Sequence, residues 1–288
     1  MTITSRQNPL VARFRDAARG DADGVMLLDG AHLVGDAVAA GVRVQLAAVA
    51  SGAEETRGEL RELVAALTRA GVELATVSSP VMDAISPVRS SSAVVALAAR
   101  PVFERAQLFQ GAAPMMLIAA DVQDPGNVGA MVRVAEAAGA SGVVAAGTSA
   151  SPFGWKALRG SMGSALRLPI ASGMSAGEAM DEARRHGCRV VATVPHGGAS
   201  IFDVDLTGPI AVLIGGEGHG LPRAIVDAAD ERVTIPMQAP VESLNAAVTA
   251  ALILYEARRQ RQIAERTHTT THTKDTKRTH DSTRTHDT

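Results

Sequence analysis

The strongest constraint on this chain is an alternation in its second half. Continuous apolar runs, Met115–Ala120, Gly142–Ala146, Cys188–Val194, Ile210–Ile214 and Val233–Ile235, are separated by stretches of helical period at Val128–Ala138, Ala176–His186 and Ala224–Ala229. Runs without polar alternation suit strands covered on both faces, as in a parallel sheet with crossover helices. The pattern predicts an open, doubly wound α/β domain over residues 114–263, closed by a long helix at Leu244–Ile263. In such sheets, ligands bind outside the carboxyl ends of the strands.

Residues 1–100 read as a smaller α/β unit. Strands are expected at Gly24–Leu28, Gln45–Ala50, Val72–Val77 and Ala93–Ala98, and helices at His32–Ala40, Leu60–Ala70 and Pro80–Ile85. Residues 101–113, with Pro101 and Gly111, read as a linker. Residues 264–288 form a Thr/His/charge tract with no large apolar residue, expected to be a disordered tail. Its histidines, His268, His272, His280 and His286, are too loosely spaced to argue for a metal site.

Composition removes several classes. Apolar residues make up 46% of the 288, enough for a large core, but only 2% are aromatic. A single-strand binder stacking bases on rings would need more. The net charge of −2 leaves RNA or DNA contacts to local patches. Cys188 is the lone cysteine, which excludes internal disulfides and argues against a cysteine zinc site. The first twenty residues carry Arg6, Arg13, Arg15 and Arg19 without a long apolar run, and no stretch is apolar enough to span a bilayer, so a soluble cytoplasmic protein is expected.

Three loops hold the candidate chemistry. Residues 121–133 contain Pro125-Gly126-Asn127, a turn with Asn127 as the expected N-cap, and Arg133 within two turns of it. Residues 213–222 hold Gly215-Gly216-Glu217-Gly218-His219-Gly220, a loop built for close backbone approach, whose Glu217 suits a neutral or cationic ligand better than phosphate. Residues 235–245 run from Ile235-Pro236-Met237 to Ser243-Leu244-Asn245 at a helix start. Taken singly, the first is more simply a capped helix with a surface arginine, the second is less simply a tight turn than a ligand loop, and a capping role explains Ser243 or Asn245 but not the whole third string. None is a G-x-G-x-x-G fingerprint, which argues against a nicotinamide dehydrogenase.

Taken together and in order, Asn127-Val-Gly-Ala-Met-Val-Arg133, Leu213-Ile-Gly-Gly-Glu217-Gly-His-Gly-Leu-Pro222 and Ile235-Pro-Met-Gln-Ala-Pro-Val-Glu-Ser243-Leu-Asn245 resemble the three motifs of the SpoU (TrmH) family of RNA ribose 2′-O-methyltransferases, in the SPOUT superfamily. The resemblance covers roughly residues 115–262. The strings Ile3–Arg15 and Val25–Val34 also look like the small RNA-binding domain that precedes the catalytic domain in many members. Where relatives often carry a Pro-Gln-Gly-type loop, this chain reads Pro87-Val-Arg89-Ser90-Ser91-Ser92.

The resemblance implies a small N-terminal α/β RNA-binding domain followed by a SPOUT α/β domain with a C-terminal trefoil knot. It implies S-adenosylmethionine as methyl donor, held by Gly215, Gly216, Ile235, Met237 and Leu244, with no metal. Arg133, Asn127, Glu217, Ser243 and Asn245 become the catalytic set, with Arg133 positioned by Glu217 and Asn127. Arg6, Arg13, Arg15 and Arg89 become RNA contacts. A homodimer is implied through the knotted domain, using Leu252, Ile253 and Leu254. Large-subunit (23S-type) ribosomal RNA is the favoured substrate, with transfer RNA second. A non-catalytic RNA-binding protein on the same fold is the alternative.

Overall fold

The computed structural model describes residues 2–53 and 58–281. Helix α1 (Pro9–Arg19) opens it, with Asn8 Oδ1 accepting from the Leu10 amide at 2.9 Å, Pro9 at the first helical position and Gly20 closing the end in the left-handed region. Then come β1 (Val25–Asp29), α2 (Ala31–Ala39), β2 (Val44–Ala50), α3 (Gly58–Arg69), β3 (Glu73–Val77), α4 (Ser79–Ile85) and β4 (Val94–Ala99). The strands form a mixed sheet in the order β1-β4-β2-β3, with β4 antiparallel to both neighbours and β2 parallel to β3. Helix α1 was not foreseen. Its apolar residues, Leu10, Val11, Phe14 and Ala17, sit among arginines that masked the helical period.

The second unit contains β5 (Met115–Ala120), α5 (Pro125–Ala138), β6 (Gly142–Ala146), α6 (Trp155–Ser161), β7 (Ile170–Ser172), α7 (Ala176–Arg185), β8 (Arg189–Thr193), β9 (Ala199–Ser200), β10 (Ile210–Gly215), α8 (Arg223–Ala228), β11 (Glu231–Thr234) and α9 (Ala246–Asp281). Its seven strands run parallel in the order β7-β6-β5-β10-β8-β11-β9. Successive residues of the central strands serve opposite faces. Leu117, Val143 and Val212 face a cluster with α5, α6 and α9, while Met116, Val144 and Ala211 face one with α7. The expected doubly wound domain is therefore present. Short α6, β7 and β9 are additions that the sequence pattern did not mark.

Two expectations need correction. Residues 101–113 are not a bare linker: Arg105–Phe109 is a 3-10 helix whose Leu108 and Phe109 are buried against the larger sheet, with Phe109 stacked on His186 at 3.9 Å between centroids. The closing helix, expected to end at Ile263, continues as α9 to Asp281. A helix already nucleated by packing extends at the low cost of one residue per hydrogen bond. Residues 282–288, and the side chains of the tail histidines, lie outside what is described.

The two units share a junction. Strand β1 lies at an edge of the smaller sheet, and α6 of the larger unit packs along it. Met26, Leu28 and Ala96 share one apolar cluster with Leu117, Leu158 and Leu166. Arg100 lies over the Phe153 ring at 5.5 Å across the same junction. Nearby, Arg167 pairs with Glu136 at 2.8 Å and holds its carboxyl below the usual range.

Helix α9 is tied to the strand starts by Arg261, whose guanidinium donates to the carbonyls of Leu206, Ala113 and Gly208 at 3.2, 2.7 and 2.6 Å. Among the described residues, no helix is long and apolar enough to cross a membrane.

Candidate active site

The first loop leaves β5 and enters α5. Its N-cap is Asp124, whose Oδ1 accepts from the Asn127 amide at 2.8 Å. Asn127 therefore lies inside the first turn and is not the cap, because Pro125 starts the helix three residues earlier than the apolar period suggested. That shift frees the Asn127 side chain for other partners. Helix α6 presses on α5 just beyond: a Cβ on Gly129 would collide with the Ala157 carbonyl.

The second loop folds back on itself after β10. The Gly220 amide donates to the Gly216 carbonyl at 3.2 Å. A Cβ on Gly215 would strike the Gly220–Leu221 backbone, and one on Gly216 would strike the Asp121 carbonyl. Only glycine allows this approach, and it sets Glu217 at the tip, where its carboxylate accepts from Asn127 Nδ2.

The third loop ends at the start of α9. Asn245 Oδ1 accepts from the Ala247 and Val248 amides at 2.9 and 3.2 Å, and its Nδ2 donates to Asn127 Oδ1 at 3.0 Å. One residue from each loop thus joins a single series, Glu217–Asn127–Asn245. The second and third loops border a cavity of about 480 Å³ at the carboxyl ends of β8 and β10, beside the point where the strand order reverses around β5.

Gly215, Gly216, Ile235, Met237 and Leu244 all line this cavity, as do Glu217, Ser243 and Asn245. Asn127 does not line the cavity itself but is bonded to Glu217 and Asn245, which do. Arg133 is different. It is exposed on α5, does not line the cavity, and among the described residues its side chain has no hydrogen bond or ion pair. Glu217 and Asn127 engage each other and leave Arg133 alone. Thr193, Val194 and Pro195 also line the cavity and were missed. The sequence signal was the parallel pattern, which ends β8 on the same edge as β10; the structure adds that Thr193 Oγ1 donates to the Leu213 carbonyl at 2.9 Å.

The N-terminal arginines are exposed but not all free. Arg6 Nε donates to the Pro80 carbonyl at 3.0 Å and Arg15 Nε to that of Ala84 at 3.1 Å, so both line α4. Arg89 stands exposed in the loop that follows α4. Arg13 is two positions from Arg15 on α1, roughly 200° around the helix, and occupies the opposite flank. The 86–92 loop is pinned by Asp29, a buried carboxylate that accepts from Ser86 Oγ at 2.7 Å and from Ser92 Oγ.

Of the apolar residues expected at a dimer face, Ile253 and Leu254 are fully buried in the chain's own core. The exposed stripe on α9 is Val248, Leu252 and Tyr255, spaced for one helical face. Among the described residues, no cluster of three His, Cys, Asp or Glu side chains could hold a metal ion.

Residues 114–255 match the SpoU rRNA methylase family model. The chain is 32% identical to an uncharacterized tRNA/rRNA methyltransferase of Synechocystis over 266 residues, covering 91% of this chain and 95% of that one. It is 46% identical over 151 residues to the 23S rRNA (uridine(2479)-2′-O)-methyltransferase of Streptomyces viridochromogenes, a match spanning 51% of this chain and 52% of that enzyme. The crystal structure of the SpoU methyltransferase AviRb from Streptomyces viridochromogenes in complex with AdoMet superposes with a TM-score of 0.78 at 32% identity, covering 88% of this chain and 98% of that one.

Proposed function

Because this chain belongs to the SpoU rRNA methylase family, it is an RNA methyltransferase, and we propose that it methylates a ribose 2′-hydroxyl of large-subunit ribosomal RNA with S-adenosylmethionine as donor. The observation that carries the reading is the Glu217–Asn127–Asn245 series, which joins all three loops at the rim of one cavity. The 23S rRNA enzyme among the relatives supports the substrate class.

The cavity fits the donor. Its volume lies in the range of small-molecule sites, with Ile235, Met237 and Leu244 as apolar wall and the Gly215–Gly220 backbone as polar edge. Glu217 sets a carboxylate beside a ligand that carries positive charge. When bound, S-adenosylmethionine supplies an electrophilic methyl group on a sulfonium.

The chain's own residues then have to align a hydroxyl and manage its proton. Ser243 and Asn245, at the cavity edge, orient the ribose hydroxyl. Arg133 grips the neighbouring phosphate through its planar fork and stabilises developing alkoxide charge; a guanidinium is too weak an acid to serve readily as the base. Its exposure and lack of partners suit a residue that waits for RNA. Arg6, Arg15 and Arg89 extend the phosphate contacts along α4, and Arg13 adds one on the far flank of α1.

The passage from β10 through α9 is read as the trefoil knot, supported by the second and third loops closing on one cavity while α9 packs back on α5. The Val248, Leu252 and Tyr255 stripe is read as the face of a homodimer that works in the cytoplasm.

Calorimetry with S-adenosylhomocysteine, and mapping of 2′-O-methyl positions in total RNA with and without the gene, test this. Heat of binding without added metal and one lost large-subunit position are expected. A lost tRNA position would move the substrate to tRNA. No heat and no lost position would overturn the enzyme reading in favour of a non-catalytic RNA binder.

A further inference from the structure

At the carboxyl end of β5, Asp121 has φ of 57°. Among the described residues, Met162 is the only other non-glycine in that region. Aspartate and asparagine tolerate this left-handed conformation better than most residues with a side chain, yet it is seldom adopted without a reason.

The surroundings of Asp121 supply one. Its Oδ1 accepts from the Thr148 amide at 2.8 Å and from the Thr148 hydroxyl at 2.9 Å, both in the loop after β6. A Cβ on Gly147 would strike the same carboxylate oxygen. The next residue, Val122, donates its amide to Ser149 Oγ at 3.0 Å. On the opposite side, the Asp121 carbonyl occupies the place where Gly216 would carry a Cβ. One residue therefore touches the loops that follow three adjacent strands, β6, β5 and β10.

We infer that Asp121 is a positioning residue for the methyl-transfer site: its left-handed turn, clamped by Thr148, forms the seat on which the Gly216 peptide rests and so sets where Glu217 meets Asn127. Asp121 does not itself line the cavity; its backbone carbonyl faces Gly216, which does. The inference rests on the methyltransferase reading of the cavity, but the seat itself can be measured without any ligand.

Three variants separate backbone from carboxylate. Asp121→Asn keeps an acceptor oxygen and tolerance of positive φ, Asp121→Gly keeps the turn and loses the clamp, and Asp121→Ala loses both. In ligand-free protein, amide hydrogen exchange at residues 216–218 is expected to speed up about tenfold in Asp121→Ala and to stay within about threefold of wild type in Asp121→Asn, with Asp121→Gly between them. In single-turnover methylation, Asp121→Ala should lose about tenfold in rate and in S-adenosylhomocysteine affinity, with KM for RNA within about twofold, since a small displacement of an aligned group is costly.

Should Asp121→Ala fail to fold, Thr148→Val provides the same test, removing the hydroxyl donor while keeping the backbone one. Wild-type exchange at residues 216–218 in Asp121→Ala, or in Thr148→Val where the former does not fold, would overturn the inference. So would an Asp121→Asn protein as impaired as Asp121→Ala. Failure of the wild type to bind S-adenosylhomocysteine would instead overturn the methyltransferase reading and leave the exchange result standing.

Discussion

The two sheets place their strand ends differently. In the seven-stranded sheet every strand is parallel, so the loops after β5, β8, β10 and β11 gather on one edge and can be bonded to one another. In the four-stranded sheet, β4 runs against its neighbours, and its strand ends are divided between two edges. Its buried carboxylate, Asp29, holds Ser86 and Ser92 within one loop and builds no shared rim. Convergent chemistry belongs to the parallel sheet. The mixed sheet displays charge over a surface, through arginines braced on α4.

The largest expected effect tests that contrast at the catalytic side. Arg133→Ala should slow single-turnover methylation by about 2–4 kcal/mol of barrier while leaving S-adenosylhomocysteine affinity nearly unchanged. Arg133→Lys should fail almost as badly, since it keeps the charge and loses the planar fork. A Lys enzyme of near-normal rate would reduce Arg133 to a point charge, and one that recovers steeply with rising pH would make residue 133 the base.

A second substitution asks whether the two regions are separable at all. Leu158 is fully buried on α6, in the cluster shared by both sheets. Leu158→Ala should cost about 3 kcal/mol and lower a single cooperative thermal transition. Two resolved transitions, with only one of them shifted, would show that the sheets unfold independently and break the picture of a fused core.

The smallest effect is expected on the display side. Replacing Arg15 or Arg89 by Ala should raise KM for RNA a few-fold, at unchanged single-turnover rate with saturating RNA. Each should lower the salt dependence of RNA binding by about one released ion. A fall in the chemical step itself would place these arginines in the site and erase the division between the sheets.

Much of this contrast was legible beforehand because the larger sheet announces itself: strands at Met115–Ala120 and Gly142–Ala146 coincide with the apolar runs. Burial on both faces leaves no polar residue to blur them. The cavity lining was legible for a related reason, since Gly215 and Gly216 have no side chain for a structural role and point to close approach. What stayed hidden depends on tertiary contact. The Asp124 cap and the exclusion of Arg133 from the cavity follow from where α5 begins, and the burial of Ile253 and Leu254 from which way α9 faces. Phe109 in the supposed linker found its place against His186, a residue far along the chain.

The series that binds the three loops has a direction. Amides of Ala247 and Val248 donate to Asn245, Asn245 donates to Asn127, and Asn127 donates to Glu217. Every N–H points the same way, from the first turn of α9 to a terminal carboxylate. Each intermediate link is a side-chain amide, which does not exchange its proton for a neighbour's on the timescale of a turnover. The brace is thus an insulator: it fixes three loops rigidly and conducts nothing along its length. On the proposed methyl-transfer reading, the acceptor of the hydroxyl proton therefore lies outside the Asn245–Asn127 links.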